Sequence, residues 1–164
     1  MTFEESSGTG SPHHFLAQLA GGWTGTSRLW FEPDKLANEA PLVGNIQLIL
    51  DGRFALFLYQ SSIENEPQHG MFMFGFNTTL ERFEASWVDS FHNNTAIMFC
   101  VGSIKENGFS VLGSYPDPTG GPDWGWRTEV QLLDEDHLVI TAYNILPDGF
   151  EAKATEATLA RVKK

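Results

Sequence analysis

Three observations predict an all-β chain folded as a single antiparallel up-and-down β-barrel of about ten strands, with a short N-terminal helix. β-rich segments follow one another at 22–31, 45–51, 53–62, 70–77, 82–90, 95–104, 108–115, 124–133, 137–146 and 149–162. Between them stand Asp51-Gly52, Asn107-Gly108 and Asp148-Gly149, dipeptides that supply the positive φ of tight hairpin turns. No gap between segments is long enough for a crossover helix, so a parallel βαβ sheet is excluded. Closing the strands into a barrel removes the exposed edges that an open sandwich, the alternative, would keep.

In chain order, residues 1–10 are polar and rich in Gly and Ser, which reads as a disordered lead before one domain at 11–164. Ser11 stands at an N-cap and Pro12 at the first helical position. Phe15, Leu16 and Leu19 have helical spacing and glycines follow, so a helix is expected over 12–19. Two connections are long, 32–44 and 116–123, and the first has room for a short helix or a lid. In the segment 82–90, Phe83, Ala85, Trp87 and Asp89 share one face, an apolar row ending in a carboxylate, as a partly polar cavity would show. Met71, Met73 and Gly75, and likewise Met98, Cys100 and Gly102, offer soft or small side chains and are expected on the interior. The opposite faces carry Phe72, Phe74 and Phe76, and Ile97, Phe99 and Val101, so something is expected to cover them outside the barrel: the helix or a second subunit, making a homodimer.

The chain has 164 residues, 41% of them hydrophobic, with 10 Lys+Arg against 21 Asp+Glu and a net charge of −11. At 18.3 kDa, about 70% of the unfolded surface is buried on folding, enough for one core. The acidic balance argues against a nucleic-acid partner, which needs basic residues to displace counterions, and against anionic membrane surfaces. No apolar run approaches the roughly 20 residues of a membrane span. MTFEESSGTGSP has neither the basic nor the apolar region of a signal peptide, so a cytoplasmic location is expected. With one cysteine, Cys100, an internal disulfide is impossible. The five histidines, His13, His14, His69, His92 and His137, show no metal-ligand spacing, so no metal is expected.

GGWTGT at 21–26, directly after the helix, resembles the glycine-x-tryptophan opening of the calycins, the lipocalin and fatty-acid-binding superfamily. The resemblance implies that Trp23 closes one end of the barrel and that Arg161, in ATLARV, lies across its indole. LDGRF (50–54), HGMFMFGFN (69–77), SWVDSF (86–91), GSYPDP (113–118), WRTEV (126–130) and ITAYNILPDGFEAK (140–153) together are similar to the bacterial domain of unknown function 1579. That family implies a lipocalin-like barrel and names no reaction. Phe76-Asn77 stands where its Tyr-Asp pair is expected. The nitrobindin branch of the calycins holds haem through a histidine, but only GWTG matches it and no histidine follows His137, so no haem or other cofactor is expected.

Polar residues on apolar strands carry the functional reading, because burying them unpaired is costly. Arg53, Asp89, Arg127 and Tyr143, with Trp87, are expected around the open end, binding the polar head group of a small, largely apolar molecule. Structural ion pairs, such as Arg53 with Asp89, or a solvated outer face for Arg127 and Glu129, explain the same residues. An enzyme of isomerase, cyclase or lyase type is an alternative, with burial raising the pKa of Asp89 and Tyr143 or His69 completing an acid/base pair. A protein-interaction module with a filled barrel is a third. Trp124 and Trp126 share a face and either wall the entrance or staple the preceding loop.

Overall fold

The computed structural model describes residues 1–164. Two short helices, α1 (Phe3–Ser6) and α2 (Pro12–Gln18), precede ten strands. These are β1 (Gly21–Glu32), β2 (Lys35–Ile49), β3 (Phe54–Ile63), β4 (Glu66–Asn77), β5 (Arg82–Asp89), β6 (Met98–Lys105), β7 (Gly108–Tyr115), β8 (Trp124–Asp134), β9 (His137–Ile145) and β10 (Glu151–Arg161). Each pairs antiparallel with its sequence neighbour, and β1 closes on β10 with Trp23 opposite Arg161. The result is the closed ten-stranded up-and-down barrel that the turn dipeptides and short gaps predict. Its interior is one apolar cluster running from Leu16, Leu19 and Trp23 at the lower end to Phe72, Trp87 and Trp126 towards the upper end. No helix is long and apolar enough to cross a membrane.

Four local expectations are corrected. Residues 1–10 are not featureless: Thr2 and Glu5 form a reciprocal capping box on α1, and Ser6 is buried with its Oγ 2.6 Å from His13 Nδ1. The connection 32–44 is neither helix nor lid, because β2 begins at Lys35 and only Pro33 and Asp34, the latter at φ 60°, make the turn. Leu42, Gly44 and Ile46 continue the inward row of β2, and Pro41 interrupts the pattern without ending the strand. Residues 95–97 belong to a loop. On β4 the faces are the reverse of those expected: Phe72 and Phe74 point in, while Met71 and Met73 lie on the outer face. The aromatic rings stack with one another, Phe72 on Phe74 at 5.1 Å between centroids, and that packing decides the face.

The lower end is shut. Arg161 lies 4.4 Å over the Trp23 ring and donates to the carbonyls of Gln18, Ala20 and Glu135, while Trp23 Nε1 donates to Leu19 O at 2.8 Å. One guanidinium thus fastens the helix end, the first strand and the β8–β9 turn. The helices contact β3 and β4 at this end. They leave the outer face of β6 open, where Ile97 and Phe99 are exposed.

Candidate functional site

A narrow cavity of about 50 Å³ occupies the upper half of the barrel. Phe57, Tyr59, Phe72, Trp87, Trp126 and Ile140 form most of its apolar wall. The rings are ordered against one another: Phe72 stacks on Trp87 at an interplanar angle of 8° and Trp87 on Trp126 at 17°. Trp87 Nε1 donates to the Tyr59 hydroxyl at 2.9 Å. Burial, then the charge of Asp89, raises the pKa of that hydroxyl, so it stays a neutral phenol.

Two polar atoms on this wall have no partner. Trp126 Nε1 and Thr128 Oγ1 are both buried without a hydrogen bond, and both residues line the cavity. They stand two apart on the inner face of β8, the spacing that brings side chains to the same side of a pleated strand. Leaving such groups unpaired costs about 1–3 kcal/mol each, so the two atoms are hydrogen-bonding capacity that the protein itself does not use.

The mouth is covered by the loop 90–97, which Asp89 organises. Its side chain is fully buried; Oδ1 accepts the backbone N–H groups of His92 and Asn93 at 2.6 and 2.8 Å, and Oδ2 receives Gln68 Nε2 at 3.1 Å. Oδ2 also lies 2.6 Å from His92 Nδ1. Burial alone would raise the carboxyl's pKa, but hydrogen bonding to His92 together with its charge, then the Asn93 and Gln68 hydrogen bonds, outweighs it and lowers the pKa. The expectation of a raised pKa at Asp89 is therefore corrected. His92 lines the cavity, its ring 5.5 Å from both Trp87 and Trp126.

The residues expected around the open end do not form one set. Trp87 lines the cavity and Asp89 lies at its rim, both on the inner face of β5. Arg53 is at the opposite, lower end, half-exposed, 4.6 Å over the Phe3 ring and 3.7 Å from Asp51, so it forms no pair with Asp89. It falls in the turn before β3, where strand alternation does not yet apply. Arg127 and Tyr143 are on the outer wall: the guanidinium stacks 4.3 Å over the phenol ring and pairs with Glu129 and Glu151. Their neighbours Trp126, Thr128 and Ala142 point inward, so pleat parity sends them out. His69 is likewise exposed. Trp126 faces the cavity and Trp124 lies near Tyr115 at the rim, 6.3 Å between ring centroids.

His92 and Thr128 are polar cavity residues absent from the expected set, and Trp126, expected to wall the entrance or to staple the preceding loop, lines the cavity with them. Each left a trace in the sequence: an Asp followed three positions later by His at a strand end, and a W-x-T row whose intervening charges mark the outer face.

The chain belongs to the family described as protein of unknown function (DUF1579), whose model matches residues 8–161. No curated protein matches it. Among solved structures it is similar to the S-type phycobiliprotein lyase CPES from Guillardia theta, at 14% identity and a TM-score of 0.53, over 100% of this chain and 99% of that one. At that identity the likeness speaks for the barrel fold alone.

Proposed function

We propose that this protein binds a small, largely apolar molecule inside the barrel, with the polar head group held by Trp126 Nε1, Thr128 Oγ1 and His92. The observation that carries the reading is the pair of unpartnered polar atoms on an otherwise aromatic cavity wall. A barrel serving only as a scaffold gains nothing from them, since Phe and Val at the same positions would fill the space without burying idle polar groups. The sealed lower end and the loop over the upper one give the cavity a single mouth, as in the lipocalin-like barrels the chain resembles. A cytoplasmic setting fits the lone, buried Cys100, whose thiol pKa burial raises to about 11.

Native and denaturing mass spectrometry of freshly purified protein tests this first, since a resident ligand appears as an adduct lost on denaturation. Titration with butan-2-one, a slender ketone suited to a cavity of about 50 Å³, read by quenching of tryptophan emission, tests it without a known ligand. Binding is expected to weaken by about tenfold in Thr128→Val, the loss of roughly one hydrogen bond. It is expected to disappear in Ala142→Leu, which fills the cavity. A folded Ala142→Leu protein that binds butan-2-one as well as the wild type does would refute an interior site.

A further inference from the structure

The contacts of His92 go further than a rim residue requires. Building on the interior binding site proposed for this cavity, we infer that His92, oriented by Asp89, is a general base facing it, and that the site shifts a proton within a small unsaturated ketone whose carbonyl oxygen sits between Trp126 Nε1 and Thr128 Oγ1.

Asp89 is buried and held in place by the backbone N–H groups of His92 and Asn93 and by Gln68 Nε2. A fixed carboxylate on Nδ1 keeps the proton of a neutral imidazole there, which leaves the Nε2 lone pair free to accept one. Nε2 has no protein partner. Asp89 is the one charge that faces the ring. From β4 comes the Gln68 amide, from β3 the Tyr59 hydroxyl already engaged by Trp87, and from β8 Trp126 and Thr128. Arg28 and Glu156 border the cavity, but their charged ends are engaged in ion pairs, Arg28 with both Glu39 and Glu156.

The two idle groups select the chemistry opposite the base. An indole N–H can only donate, and a threonine hydroxyl can donate alongside it, so the pair suits an oxygen that gains negative charge. The cavity presents no amine, and its hydroxyls are those of Ser27, Tyr59, Thr128 and Thr155, none within hydrogen-bonding distance of the imidazole. A base and an oxyanion site without an activated nucleophile suit a proton shift. His92 Nε2 removes the proton from the carbon between the carbonyl and the double bond. The C–H electron pair becomes the new C=C bond, and the carbonyl π pair moves onto the oxygen held by Trp126 and Thr128. The imidazolium then returns the proton to the far carbon of the original double bond, giving the conjugated ketone and restoring neutral His92. Nothing is oxidised or reduced and no second reactant is consumed.

Pent-4-en-2-one is the probe, because it is a slender ketone with the required double bond, suited to a narrow cavity, and its conjugated product absorbs in the ultraviolet. The full-length protein is expected to convert it at least about 100-fold faster than free imidazole at the same concentration, the lower range of a positioned base. His92→Gln keeps an amide against Asp89 and is expected to abolish the acceleration while retaining the wild-type circular dichroism. Trp126→Phe and Thr128→Val are expected to lower the rate by about 10- to 100-fold each. Asp89 is a positioning residue, so Asp89→Asn is expected to lower kcat by about 10-fold with KM for the ketone unchanged, a split that general loosening of the loop over the substrate would not produce. A wild-type rate no faster than imidazole overturns the proposal, whether or not the ketone quenches tryptophan emission. If butan-2-one still binds in that case, the interior site stands and the proton transfer alone falls; if neither ketone binds, both fall.

Discussion

Asp89 receives four hydrogen bonds, from Gln68 Nε2, His92 N, Asn93 N and the His92 ring, so its charge is committed to one loop geometry. Its folded pKa lies below the usual carboxylate value, so the unfolded chain binds the proton more readily. Stability from this group is complete above the unfolded pKa, near 4, and is lost as pH falls through the folded value. His13 adds an earlier window. Burial lowers its pKa, and its ring packs against Phe3 and Phe76 with Nδ1 on Ser6 Oγ. The unfolded histidine takes up a proton from about pH 6.5 downward while the buried one resists, so stability declines from there. Thermal midpoints recorded against pH are expected to fall in two stages. Asp89→Asn should shrink the lower stage, to which Glu5, Asp117 and Asp134 also contribute, and cost about 1–3 kcal/mol at neutral pH, while His13→Phe should remove the upper. A flat midpoint between pH 7 and 5 would contradict the role given to His13.

At the scale of the strand, glycine placement shapes the cavity. Tyr59 on β3 lies directly across from Gly70 on β4, and a Cβ at Gly70 would fall 2.0 Å from the tyrosine ring. The ring occupies the space the missing side chain leaves, which brings its hydroxyl to Trp87 Nε1. Gly70→Ala should therefore push Tyr59 aside, cost about 1–3 kcal/mol in urea unfolding and shift tryptophan emission. Unchanged emission would show that the ring had room elsewhere. The same alternation explains what could be read beforehand. The inward row of β5 was legible because the strand is regular from Arg82 to Asp89 and its outer face carries Arg82, Glu84 and Ser86. On β4 both faces are apolar, so alternation could not choose between Phe and Met, and only ring stacking across strands did. Arg127 and Tyr143 looked like buried polar groups because each is isolated on its own strand. Their pairing is visible only in the register that sets them side by side, Arg127 opposite Tyr143 with Glu151 beyond. The role of His92 is not legible in the sequence because loop residues follow no period, and its link to Asp89 depends on how the chain turns after β5.

At the scale of the whole molecule, the outer wall carries an apolar band. Leu58 pairs with Met71 and Met71 with Val88 across three strands, and Phe99 and Leu112 continue the band on β6 and β7. Leu58 is 53% exposed, Ile97 74% and Phe99 57%, in a closed barrel that offers no strand edge to cover them. These side chains carry no charge, and the band ends where Arg127 lies opposite Leu112 and Glu84 opposite Val101. The molecule as a whole carries −11, so two copies repel across most relative orientations. Meeting through the uncharged band keeps their acidic surfaces apart, and a two-fold contact sets the same apolar row against itself. We expect a homodimer in solution, with a sedimentation mass twice the 18.3 kDa of the chain. Salt should strengthen the association by screening the repulsion while leaving the apolar contact intact. Phe99→Glu, on an exposed side chain that the barrel interior does not use, should give a folded monomer with the wild-type melting profile at low concentration. A wild-type protein that stays monomeric in concentrated, high-salt solution would show that the band is simply tolerated exposed surface, and would leave the cavity and its mouth within a single chain.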